Sequence, residues 1–134
     1  MSANKRYYWL KLPENFFFQK EIKKLRRIAG GDTHVIIYLK MLLKALQNDG
    51  KLFYDGIEDD FETELAYDID EDVENVRLTV AFLKHHGILT EASGGEYELL
   101  TMPEMVGTET DSAKRMRRSR HAKLLEEVND PYLI

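Results

Sequence analysis

Six of the ten residues from Lys114 to Lys123 are Lys or Arg, and none is acidic. These six, Lys114, Arg115, Arg117, Arg118, Arg120 and Lys123, are the densest chemical signal in the chain. Four of them are Arg, whose planar guanidinium makes paired hydrogen bonds to a phosphate. The apolar residues nearby, chiefly Met116, Leu124 and Val128, form no continuous helical stripe, so the block is not built to pack a core. Like charges one turn apart, such as Lys114 and Arg118, disfavour an isolated helix. The block is therefore expected to order only against a polyanion or an acidic surface. A merely solubilising tail is the plainer alternative, and DNA is the partner this density of Arg favours.

No other motif carries chemistry of comparable strength. Asp68, Asp70 and Asp72 have the spacing of the first three ligands of a calcium loop. The match then fails, because Val73 stands at the turn glycine and Thr79 at the twelfth position. Helix capping explains these carboxylates better. His85 and His86 are adjacent, so they point in different directions on a helix and suit its C-terminal end. There is no phosphate-binding loop, dinucleotide fingerprint or HExxH pair, and there are no cysteines to supply a disulfide, a thiolate ligand or a nucleophile. We expect no enzyme, no cofactor and no metal.

Charge is sorted along the chain. The formal net charge is -5, yet residues 4–27 hold eight Lys or Arg against two Glu, and residues 49–74 hold twelve Asp or Glu against one Lys. Faces of opposite sign steer charged partners or a second copy of the chain. No apolar run reaches the roughly 18 residues of a membrane span, and no signal-peptide pattern opens the chain. These features predict a soluble, cytoplasmic protein with no membrane partner.

The positioning elements follow from periodicity and punctuation. "YYWLKL" before Pro13 predicts a short strand. "NFFFQKEIKKLRRIAGG" predicts a helix capped by Asn15, with Phe18, Ile22, Leu25 and Ala29 on one face. "DTHVIIYLKMLLKALQNDG" predicts a central, mostly buried helix that only Lys40, Lys44 and Gln47 interrupt. "KLFY" is a strand, and the next helix turns Phe61, Leu65 and Ile69 inward. A helix capped by Asp70 buries Val73, Val76, Val80 and Leu83. "ILTEASGGEYELLTM" is a hairpin turning at Ser93-Gly94-Gly95. The sum is an α+β, mostly α fold: a winged helix-turn-helix with an N-terminal strand and helix extension and a C-terminal basic tail. Residues 1–106 form the domain. Residues 107–134 form a polar linker and the tail, helical or disordered.

On that fold the expected recognition helix starts with Glu71, Asp72 and Glu74, which repel phosphate. Asn75, Arg77, Thr79 and Lys84 remain as weaker DNA contacts, and Glu91, Glu96 and Glu98 make the wing no better. The first helix is the stronger electrostatic surface. Its Lys20, Lys23, Lys24, Arg26 and Arg27 suit either DNA phosphates or the acidic segment of another copy. Tyr7, Tyr8 and Trp9 suit an oligomer interface, since interface cores favour aromatics.

The long stretch from Arg6 to Tyr54, with "FLKHHGIL" and "MPEMVGTETDSAKRMRRSR", resembles the N-terminal domain of phage replisome organizers. These are relatives of the DnaD-type primosome proteins of low-GC Gram-positive bacteria. The resemblance runs from Arg6 to about Lys123. It implies a winged-helix domain that initiates phage replication in the bacterial host cytoplasm. Such a domain binds double-stranded origin DNA, self-associates as a dimer or tetramer, and serves a replicative helicase or its loader through a more C-terminal region, expected beyond Ile134. Two alternatives stand beside it: an oligomerisation module of the primosome with incidental DNA contact, and a winged-helix transcriptional regulator.

Overall fold

The structure is a computed structural model that describes residues 9–106. Tyr7, Tyr8 and the block Lys114–Lys123 lie outside the described residues. The chain passes through α1 (Lys20–Arg27), α2 (Asp32–Ala45), β1 (Lys51–Phe53), α3 (Phe61–Ile69), α4 (Val73–His85), β2 (Leu89–Ala92), β3 (Glu96–Leu99) and the single turn α5 (Met102–Met105). The architecture is α+β and mostly helical, as the sequence predicts.

α2 is the axis of the fold. It buries His34, Val35, Ile37, Tyr38, Met41, Leu42 and Ala45, a width of apolar surface that only a central helix can cover. α1 packs on it through Ile22 and Leu25, and α4 through Val76, Val80 and Leu83. The strands form one antiparallel sheet in the order β1-β3-β2, with Leu52 opposite Tyr97 and Leu89 opposite Leu99. Tyr97 stacks on Phe61, the first residue of α3, at 3.7 Å between ring centroids. That contact ties the sheet to the α3–α4 pair.

Local chemistry sets the helix ends. Asp60 caps α3 by accepting the Thr63 N–H at 2.8 Å. Asp72 caps α4 by accepting the N–H groups of Glu74 and Asn75 at 3.1 and 3.2 Å. Gly50 follows α2 at φ +85°, where a Cβ would lie 2.9 Å from that of Met102. The chain can pass there only as glycine.

Several details depart from expectation. Trp9–Leu12 is not a strand. Its Lys11 N–H donates at 2.8 Å to the carbonyl of Met105, so the segment pairs with a helix end and not with the sheet. The first helix is shorter than predicted and follows a separate 3-10 turn at Phe16–Phe18. That turn rotates Phe16 into the core and leaves Phe18 73 % exposed, the reverse of the expected facing. Ala29 lies past the helix end and is exposed. Asp70 does not cap α4; it ends α3 in the left-handed conformation at φ 62°. Met102 and Met105 are buried, so the single turn α5 packs on the core.

Candidate nucleic-acid interface

α4 stands where a recognition helix is expected, and its polar residues are already engaged. Arg77 donates from Nη1 to Asp60 Oδ2 at 2.8 Å and from Nη2 to the Thr63 hydroxyl at 3.1 Å. With the Thr63 hydroxyl as the largest contributor and the Arg77 guanidinium next, Asp60 is held down to about 2. Lys84 pairs with Glu91 of β2 at 3.2 Å. Both cations that the sequence assigned to DNA therefore serve to fasten α4 to α3 and to the hairpin.

Thr79 is a correction. It is fully buried, so it reaches no ligand. Its hydroxyl lies 2.9 Å from His34 Nδ1 and 2.8 Å from the Asn75 carbonyl. His34 is itself buried, and its Nε2 lies 2.7 Å from the Ala29 carbonyl. A carbonyl only accepts, so Nε2 carries a proton. Through the buried side chains of His34 and Thr79 the network joins the α1–α2 loop, α2 and α4. Asn75, half-buried at its rim, is the remaining polar residue of that set.

The cations of α1 are arranged differently. Lys20, Lys23, Lys24 and Arg27 are exposed and follow the spacing i, i+3, i+4, i+7, which is one stripe along about 10 Å of helix. Ile22 and Leu25 hold the opposite side in the core. Arg26, at the edge of the stripe, pairs with Asp32 at 2.6 Å. Among the described residues, Lys40, Lys44, Lys51, Arg77 and Lys84 each have a carboxylate within 4 Å as well. Lys11, Lys20, Lys23, Lys24 and Arg27 form no ion pair with another described residue. All five precede α2.

Charge of the opposite sign gathers at the β1–α3 loop. Glu64, 5 % exposed, turns its carboxylate toward the loop backbone. It accepts from the N–H groups of Asp55 at 2.6 Å, Ile57 at 2.9 Å and Glu58 at 3.3 Å. The Asp55 amide is the largest cause holding Glu64 below the usual carboxylate range. Asp55, Glu58 and Asp59 surround the backbone so fixed. Lys40 donates to Glu71 at 2.6 Å and to the Ile69 carbonyl at 2.9 Å, holding the α3–α4 turn against α2.

The sequence matches the family of N-terminal phage replisome organisers over residues 9–127. The chain belongs to that family. No protein of curated function and no solved structure matches it significantly. In this replisome-organiser domain the match takes in every described element and continues through Lys114–Lys123. Among the described residues no group of three or more His, Asp or Glu is placed to hold a metal ion, and no helix is long and apolar enough to cross a membrane. Sequence reasoning missed Glu64 and His34 as organising residues. The only signal for either was a polar residue at a core position of an apolar period.

Proposed function

We propose that this replisome-organiser domain binds the double-stranded DNA of a phage origin and self-associates, without catalytic activity. In this reading α2, β1, α3, α4 and the β2–β3 hairpin make a winged helix in which α4 is chiefly scaffold. DNA affinity comes from two cationic elements, the outer stripe of α1 and the block Lys114–Lys123, and Asn75 adds modest selectivity. Contact with the replicative helicase or its loader belongs to a more C-terminal region. The observation that carries the reading is the sorting of cations among the described residues: Arg77 and Lys84 of α4 are paired with carboxylates, while Lys20, Lys23, Lys24 and Arg27 on the outer stripe of α1 are not. A helix offering four such cations on one stripe suits consecutive phosphates.

Gel-shift titrations on duplex DNA at 50 and 200 mM salt test it. Replacing Lys20, Lys23, Lys24 and Arg27 by Gln should flatten the log–log salt slope by about 0.9 for each phosphate that is no longer neutralised. An unchanged slope removes α1 from the interface. The exposure of Trp9, 68 %, favours a second reading, an oligomerisation module with incidental DNA contact. Light scattering of wild type and Trp9→Ala separates the two, because only the module reading requires Trp9→Ala to dissociate.

A further inference from the structure

On the acidic face the aliphatic side chain of Ile57 is 79 % exposed. It sits in the β1–α3 loop that Glu64 holds by its amides, between Asp55 and the carboxylates of Glu58 and Asp59. It is therefore an apolar knob inside a ring of negative charge. At the junction of α1 and α2 there is a groove of about 300 Å³ lined by Phe17, Val35, Ile36 and Leu39, with the Arg26–Asp32 pair at its rim. Ile36 is 49 % exposed there. Lys23 and Arg27 lie within about 100° of Arg26 around the α1 axis, and neither forms an ion pair with another described residue. The groove is thus an apolar hole beside positive charge, matched in polarity and sign to the knob.

One molecule cannot join its own two surfaces. The groove uses the N-terminal half of α2. The loop borders the last turn of that helix, where Asp55, Lys44 and Asp68 line one recess and Asp68 pairs with Lys44 at 3.4 Å. Eight residues of helix, about 12 Å, separate Ile36 from Lys44, and Glu64 fixes the loop at its end. The partner that offers the complementary surface is a second copy. We propose that the Ile57 loop of one copy inserts into the Phe17–Ile36–Leu39 groove of the next, giving a head-to-tail contact. This rests on the self-association part of the reading above and assigns its surfaces. A contact between two different patches leaves one knob and one groove open at the ends, so it propagates as a chain or closes as a ring.

The test uses the full chain and sedimentation velocity. Ile57→Glu removes the knob, and Ile36→Glu places a carboxylate in the groove to repel the loop. Each variant alone should be monomeric. An equimolar mixture should double in mass and stop there, because the intact groove of one variant accepts the intact knob of the other. Circular dichroism melts check folding, with Ile57→Ser and Ile36→Gln as substitutes if either Glu variant melts early. Variants that assemble like wild type, or a mixture that stays monomeric while wild type assembles, overturn the contact but leave self-association standing. A wild type that stays monomeric overturns both.

Discussion

Replacing Thr79 by Val separates a core role from a DNA-contact role. Val matches Thr in shape and lacks the hydroxyl, so no cavity opens and only hydrogen bonding changes. The hydroxyl lies 2.9 Å from His34 Nδ1 and 2.8 Å from the Asn75 carbonyl, with no solvent exposure at either Thr79 or His34. The bond to the imidazole contributes about 1 kcal/mol net, and stranding Nδ1 without a partner in the core costs about 1–3 kcal/mol more. The Asn75 carbonyl keeps its helical partner and adds little. Thr79→Val should therefore lose about 2–4 kcal/mol. At a urea m-value of about 2 kcal/mol/M, the unfolding midpoint should fall by roughly 1–2 M with the slope unchanged. Adding His34→Leu should cost less than the sum of the two single changes, because both partners then leave together. Duplex affinity, measured well below the transition, should stay within about twofold of wild type. A Thr79→Val protein that melts like wild type but binds DNA tenfold more weakly would refute the burial argument and return Thr79 to the interface.

Acid should unfasten α3 from α4. The folded pKa of Asp60 is depressed to about 2 and that of Glu64 is lowered as well. Their contribution is therefore complete above the ordinary carboxylate range near 4 and is lost as pH falls through the folded values. Urea midpoints measured from pH 6 to 2 should decline over that window, less steeply for Asp60→Asn. Gly50→Ala places a Cβ 2.9 Å from that of Met102 and 3.1 Å from the Leu99 carbonyl, at φ +85°. A loss of roughly 2 kcal/mol is expected from the backbone conformation and the clash, read as a lower thermal midpoint. Deleting everything after Val106 should remove most DNA affinity and flatten its salt dependence by about 0.9 log units for each phosphate left without its cation. Unchanged gel-shift affinity for the deletion would exclude the basic block.

The fold was legible wherever a regular period met a stop signal. Val76, Val80 and Leu83 of α4, and Phe61, Leu65 and Ile69 of α3, are buried as their spacing predicts, and the hairpin turns at Ser93-Gly94-Gly95. Runs defeated the period. Three consecutive phenylalanines fit any register, and only the 3-10 turn decided that Phe16 and not Phe18 faces inward. Two aspartates two residues apart, Asp70 and Asp72, are equal as cap candidates until the left-handed turn assigns one to each helix. The site was less legible because its decisive contacts are distant in sequence. Arg77 looks like a free cation until Asp60, 17 residues earlier, is placed beside it. Thr79 looks like a surface hydroxyl until His34, 45 residues earlier, meets it. Local pattern gives polarity, while the availability of a polar group depends on tertiary contacts.

The three backbone amides on the Glu64 carboxylate have a consequence for encounter. A loop ordered only on binding loses its conformational entropy at that moment, which weakens the complex and slows its formation. Here the loop that carries Ile57 loses that freedom when the domain folds. Two copies that meet in the right orientation need no further rearrangement of that loop. Assembly should then be governed by collision frequency and by the opposed charges, and it should speed up as ionic strength falls.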